Sequence, residues 1–225
     1  MSEHETDTGA GNRVRVLLVD DHPIVRQGIG MLLSQTPDLM VCGEADTADE
    51  ALQAIERDRP DVAIVDLSLK DSSGLELIKD IKVRSPEVLI LVLSMRDDSF
   101  YAERALLAGA KGYITKEEGT ERVVEGIRQV LKGEIYLSQR LASTVMKKLI
   151  EGGSGPNGPS EARLTDRELG VLELIGRGLP TREIAKKLHI SVKTVDSHRE
   201  HIKDKLQLGN ATELIKYAIQ WAQTS

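Results

Sequence analysis

The chain has 225 residues, 29% charged and 40% hydrophobic, a balance that suits a folded protein with room for two small cores. Its formal net charge of −6 is unevenly spread: from Glu161 onward eleven Lys and Arg face nine Asp and Glu, against nineteen and twenty-seven before it. No apolar run approaches a membrane span, Met1–Asn12 is too polar and acidic for a signal peptide, and the single Cys42 excludes an internal disulfide framework, so a reducing cytoplasm is expected.

Residues 1–12 offer nothing to bury and are expected to be disordered. Val14–Val19 is β-rich and ends in Asp20-Asp21, a first strand. Ile24, Ile29, Leu32 and Leu33 follow at helical spacing, stopped by Thr36-Pro37-Asp38. Leu39–Cys42 reads as a second strand, and Ala48–Glu56 as a second helix with Ala51, Leu52 and Ile55 inward. Val62–Val65, bounded by Pro60-Asp61 and a turn-like cluster from Lys70 to Gly74, reads as a buried parallel strand that ends at Asp66. Leu75, Leu77, Ile78 and Ile81 mark a third helix, Val88–Leu93 a fourth strand ending in Ser94, and Ala102, Ala105 and Leu106 a fourth helix. Gly112–Thr115 is a short fifth strand ending in Lys116, and Val123, Val124, Ile127 and Val130 give a fifth helix.

Strands alternating with helices of this length imply a parallel sheet with helices on both faces. The reading is an α/β domain over 13–134, with a five-stranded doubly wound parallel sheet. A further helix and a Gly-, Pro- and Ser-rich linker fill 135–163. An all-α domain of four helices then occupies 164–225, with no strand signal.

Asp20, Asp21 and Asp66 lie at strand ends, where open α/β sheets place their ligands. Like charges gathered there call for a cation, and carboxylates with open positions for water and phosphate suit Mg²⁺. Ser94 adds a hydroxyl and Lys116 an ammonium, so the set suits phosphoryl transfer to Asp66 as nucleophile. Taken singly the residues have blander readings, helix caps for Asp20 and Asp21 and plain core for Tyr113.

In order along the chain, Asp20-Asp21, Asp66, Ser94 and Tyr113-x-x-Lys116 resemble the flavodoxin-like receiver domain of two-component response regulators. The resemblance implies that Asp66 accepts phosphate from a sensor histidine kinase. It also implies that Asp21, Asp66 and the Ser68 backbone carbonyl bind Mg²⁺, with Asp20 acting through water, and that Ser94 and Tyr113 form a switch. Two positions depart from the common pattern: Lys70 and Glu117 stand where many receivers have Pro. His22, beside the acidic pair, reads as a helix-start residue.

In the C-terminal part, Thr165-x-x-Glu168 is a capping box, and Leu169, Leu172 and Ile175 form the stripe of the helix it starts. Thr181 reads as the cap of a short helix with Ile184, Ala185 and Leu188 inward. Ser191 caps the next helix, Val192–Leu206, and Asn210 a last one with Leu214, Ala218 and Trp221 inward. Two short helices joined this tightly make a helix-turn-helix. Leu-Thr-x-Arg-Glu, Thr-Arg-Glu-Ile-Ala-Lys-Lys-Leu and Ser-Val-Lys-Thr-Val-Asp-Ser-His are similar to the LuxR-type DNA-binding domain, and the two domains together resemble the NarL/FixJ family of transcription factors.

On the wheel of Val192–Leu206, Val195, Ile202 and Leu206 face the core, while Lys193, Asp196, Ser197 and Glu200 face the major groove, with Thr194 at its edge. Arg199, Lys203 and Lys205, with Arg182, Lys186 and Lys187, suit phosphates. Glu168 reads as structural, and His198-x-x-His201 lacks the Cys partners of a zinc site. The function expected is a non-enzymatic, phosphorylation-switched regulator of transcription, whose partners are double-stranded DNA, a sensor histidine kinase, a second copy on phosphorylation and RNA polymerase. One alternative is a phosphorylation-independent factor with a vestigial receiver. The other, a Mg²⁺-dependent phosphohydrolase, needs an acid where Ser68 stands.

Overall fold

The structure, a computed structural model, describes residues 13–69, 73–95, 99–119, 121–150 and 163–224. The expected tail over 1–12, the Gly-rich linker and Lys70 lie outside the described residues. The first half alternates β1 (Val14–Val19), α1 (Pro23–Ser34), β2 (Leu39–Ala45), α2 (Ala48–Asp58), β3 (Val62–Val65), α3 (Gly74–Arg84), β4 (Leu89–Ser94), α4 (Ser99–Ala108), β5 (Gly112–Thr115) and α5 (Glu121–Leu131). A short β6 (Tyr136–Leu137) and α6 (Gln139–Ile150) close it.

The strands form one parallel sheet in the order β2-β1-β3-β4-β5-β6. Successive side chains of each central strand enter opposite cores, as the period of two requires when both faces are covered. Leu17, Val19, Ala63, Val65, Ile90, Val92 and Tyr113 pack with α2, α3 and α4. Val16, Leu18, Val62, Ile64, Leu91, Leu93 and Ile114 pack with α1 and α5. Each fully buried aliphatic side chain contributes roughly 1.5–3 kcal/mol.

Three expectations need correction. The sheet has six strands, not five: Tyr136–Leu137 adds to β5 in a register that pairs Gly112 with Tyr136. Two residues are too few to show an alternation in sequence. Ile24, grouped with Ile29, Leu32 and Leu33 by its helical spacing, is 83% exposed, because Ile29 and Leu33 carry the buried face of α1. Thr181 is the first residue of its helix, and Pro180 holds the cap position.

The second half holds α7 (Asp166–Gly176), α8 (Thr181–Lys187), α9 (Val192–Leu206) and α10 (Ala211–Thr224). The Thr165–Glu168 capping box is formed on both sides, and Ser191 and Asn210 accept from the backbone amides of Thr194 and Glu213. Gly176 lets α7 and α10 touch: a Cβ there would stand 2.4 Å from the Ala218 carbonyl oxygen.

The two halves dock through α3 and α4 on one side and the start of α7 and α10 on the other. Asp166, in the first turn of α7, pairs with both Lys79 of α3 and Arg104 of α4. Arg104 also donates to the Leu164 carbonyl and stacks 4.5 Å over the Phe100 ring. Tyr101 and Trp221 pack at 6.2 Å between ring centres. Trp221, expected to face its own domain's core, thus contributes to the contact with the other half.

Candidate phosphoryl-acceptor pocket and nucleic-acid interface

The sheet order reverses direction at β1, whose neighbours β2 and β3 lead away on opposite sides, so a crevice opens at the carboxyl ends of β1 and β3. Asp20 and Asp21 follow β1 and Asp66 follows β3, with Asp20 and Asp66 buried. Gly74 brings α3 against this loop, since a Cβ there would lie 2.4 Å from the Asp66 carbonyl oxygen. Any side chain would push the helix away from the acceptor.

Lys116, at the end of β5, reaches across with Nζ 2.7 Å from Asp66 Oδ2 and 2.7 Å from Asp20 Oδ2. The other Asp66 oxygen accepts from the Ser68 amide at 3.1 Å. Desolvation raises the Asp66 carboxyl above the ordinary carboxylate range, and Asp20 adds to this. Lys116 and the Ser68 amide oppose the rise without cancelling it. Burial also pulls against the Lys116 ammonium, but Asp66 and Asp20 hold its pKa above that of a free lysine. Ser94, the last residue of β4, and Tyr113, the second of β5, are fully buried, with the Tyr113 ring turned into the core.

Asp20, Asp21, His22 and Asp66 bring one donor atom each within 4.8 Å of one another. Asp21 Oδ1 is buried without a hydrogen bond. Such an oxygen is costly unless a cation meets it. The donor set fits a hard divalent ion bound by carboxylates, with water and phosphate completing it.

On α9, Lys193, Asp196, Ser197 and Glu200 are exposed on one face while Val195, Ile202 and Leu206 are buried on the other. The Thr194 hydroxyl contacts Ser191 Oγ at 2.7 Å. Arg182 and Lys186 are exposed, and Lys187 half-buried, on α8 beside it. Basic residues expected at phosphates have protein partners as well: Arg199 donates to Thr181 Oγ1 at 3.0 Å, and Lys203 pairs with Glu200 at 2.8 Å. Lys205 is committed inward, 2.6 Å from Glu168 Oε2.

Glu168 has the structural place its sequence context suggests. It is buried, accepts from the Thr165 amide at 2.7 Å and ties α7 to α9 through Lys205. His198 and His201 come near it, with all three donors within 4.8 Å. One Glu168 oxygen is already taken, and burial together with the neighbouring Arg167 and Lys205 charges lowers the His198 pKa despite Glu168. That positive surrounding suits a pinned helix pair better than a bound cation. Sequence reasoning missed Arg167, whose guanidinium donates to the Leu188 carbonyl and fixes the turn before α9. No local pattern marks a contact across twenty-one residues.

The comparisons agree with this division. Residues 16–128 match the response regulator receiver domain family, and residues 162–218 match the family of bacterial regulatory proteins of the luxR type. The oxygen regulatory protein NreC of Staphylococcus epidermidis is 37% identical over 212 residues, covering 92% of this chain and 97% of that protein. NreC of Staphylococcus carnosus is 36% identical with the same coverage. Among solved structures, RcsB from Salmonella enterica serovar Typhimurium bound to promoter P1flhDC in the presence of phosphomimetic BeF3- is 31% identical. It covers 92% of this chain and 98% of its own, with a TM-score of 0.68. A second RcsB structure, from Salmonella typhimurium, has a TM-score of 0.72 at 29% identity, over 93% of this chain and 98% of its own. A receiver sheet with its acidic crevice, a helix-turn-helix with an exposed reading face, and relatives matching nearly end to end place this chain in the NarL/FixJ family of two-component response regulators with a LuxR-type DNA-binding domain.

Proposed function

We propose that Asp66 is the phosphoryl acceptor and that its phosphorylation controls a DNA-binding dimer. The observation that carries the reading is the buried Lys116–Asp66–Asp20 arrangement, with both Nζ–oxygen distances 2.7 Å and further carboxylate oxygen beside it. An Asp66 oxygen attacks phosphorus in the phosphohistidine of a sensor kinase. The P–N bond breaks, the imidazole leaves with its electron pair, and an acyl phosphate forms. Lys116 then exchanges its carboxylate partner for a phosphoryl oxygen. Asp21, Asp66 and the Ser68 carbonyl would hold Mg²⁺, with Asp20 acting through water. When bound, the ion neutralises charge on the phosphoryl oxygens. Ser94 at the end of β4 and Tyr113 on the neighbouring β5 respond to the new group and pass the change to α4.

On the output side, Lys193 reads guanine, Asp196 or Glu200 accepts from cytosine, and Thr194 and Ser197 line the groove. Arg182, Lys186, Lys187, Arg199 and Lys203 meet phosphates. The reading face of α9 is exposed while the receiver docks on α7 and α10, so control acts on dimerisation rather than on masking of that face. The RcsB complexes with promoter DNA support duplex DNA as the ligand. RNA polymerase is the further partner of such a regulator.

DNA binding and oligomeric state, measured with and without a small phosphodonor and Mg²⁺, test the switch. Donor plus Mg²⁺ should tighten binding and promote dimers in the wild type and leave Asp66→Asn unchanged. Chelating the metal should abolish the response. Equal binding by both proteins whatever the donor would instead support a phosphorylation-independent factor.

A further inference from the structure

The sequence reads 135–163 as a connection, yet the structure fastens Tyr136–Ile150 to the receiver at two points. The first is β6. Its two residues pair with β5 in the register Gly112–Tyr136 and Tyr113–Leu137, so part of this ladder hangs on the backbone of Tyr113. Gly112 lets the strand approach, since a Cβ there would stand 3.0 Å from Tyr136 Cβ and 3.1 Å from its carbonyl oxygen. The second point is α6, at whose start Ser138 Oγ accepts from the Leu141 amide at 3.3 Å. This helix packs on α4. Leu141 and Val145, one turn apart, are buried and join the core cluster that holds Tyr113, Tyr101, Ala102 and Ala105, with Leu137 packed against it. Ser143, Thr144, Met146 and Lys147 are exposed. Both anchor points therefore lie on the elements that the proposed switch moves: β5 carries Tyr113, and α4 follows the Ser94 strand. Neither anchor is strong. A two-residue ladder and a short helical stripe belong to the parts of a fold that open first.

We propose that β6 and α6 form a releasable strap, which phosphorylation of Asp66 undocks from β5 and α4. The inference rests on reading Asp66 as the phosphoryl acceptor and adds the segment through which that event reaches the connection between the halves. Docked, α6 holds α4 in the position in which Arg104 meets Asp166. Movement of Tyr113 and of the start of α4 in response to the phosphoryl group loosens both attachments together, because they share one packed cluster. Tyr136–Ile150 then joins the linker, and the DNA-binding half gains reach.

The test is hydrogen exchange of the full-length protein with and without the phosphoryl mimic beryllofluoride and Mg²⁺, read by mass spectrometry on the wild type and Asp66→Asn. In the wild type the amides of Leu137–Lys147 should exchange about tenfold faster with the mimic, while the Asp66–Ser68 loop becomes more protected. Asp66→Asn should show neither change. A crevice that responds beside a strap whose exchange is unchanged or slowed overturns the inference and leaves the acceptor intact, as does loosening that persists in Asp66→Asn. No response at either place overturns both. Coupling between two sites is reciprocal, which gives a second reading. Leu141→Ala weakens the strap without touching the crevice and should tighten beryllofluoride binding about fivefold, whereas the exposed control Met146→Ala should leave it unchanged. Equal or weaker binding by Leu141→Ala, or the same tightening in Met146→Ala, overturns the strap. The wild-type exchange decides the matter even for a variant that folds poorly.

Discussion

Asp66 and Lys116 show how burial gives single side chains their chemistry. Desolvation raises the Asp66 carboxyl, and the neighbouring ammonium opposes that rise, as the proposed nucleophile requires. Replacing Lys116 with Met should leave the fold standing and slow phosphoryl acceptance by orders of magnitude, read as acyl phosphate formed from a small donor. Glu168 is a second case with a different outcome. Burial raises its pKa, but the Lys205 hydrogen bond and the Thr165 backbone outweigh this, so its folded value lies below the ordinary 4.5. A carboxylate with a depressed folded pKa stabilises above its unfolded value, and that stability is lost as pH falls through the folded one. Glu168→Gln should therefore lower thermal stability at neutral pH by roughly 1–3 kcal/mol, with the deficit shrinking as the medium is acidified. A deficit that is constant with pH would place its role in packing alone.

At the scale of one element, α9 separates two tasks by its faces. Val195, Ile202 and Leu206 anchor it, and Lys193, Asp196, Ser197 and Glu200 are left for a groove. Lys193→Ala should cost roughly 1–3 kcal/mol of binding and relax preference at one base pair. Arg182→Ala should weaken all sequences alike and reduce the salt slope by about one. Fluorescence anisotropy on specific and scrambled duplexes across a salt series distinguishes the two. On the proposed reading, the two acids on this face should repel the DNA backbone, so a single copy should bind weakly and dimerisation should supply the affinity. The half-exposed Ile215 and Ile219 of α10 are apolar groups available to a second copy.

For the molecule as a whole, the docking of the two halves rests on few side chains. Asp166 serves both Lys79 and Arg104, and Arg104 lies on α4, the helix that follows the Ser94 strand. On the proposed mechanism, a phosphoryl-driven shift at the end of β4 would move a residue that holds the DNA-binding half. Arg104→Ala should release that half, seen as a larger radius of gyration and faster proteolysis between the domains, and should raise dimer formation without phosphodonor. Unchanged dimensions would mean that the Lys79–Asp166 pair and the aromatic pair Tyr101–Trp221 suffice to hold the contact.

The sequence by itself determined the order of strands and helices, the acidic triad with its lysine, the capping box of α7 and the two faces of α9. All of these are local signals: a period of two or of 3.6, a strand that ends in a carboxylate, a cap three residues before a glutamate. The tertiary structure alone decided what depends on side chains distant in the chain. The two-residue β6 exists only because β5 offers it an edge. Ile24 faces outward because Ile29 and Leu33 occupy the core. Lys205 turns from a presumed phosphate contact to a partner of buried Glu168, thirty-seven residues away. Trp221 packs on the receiver, and His22 turns from a helix start toward three carboxylates. A charged or aromatic side chain takes the partner that burial makes most costly to leave unmet, and which partner that is depends on how the elements pack.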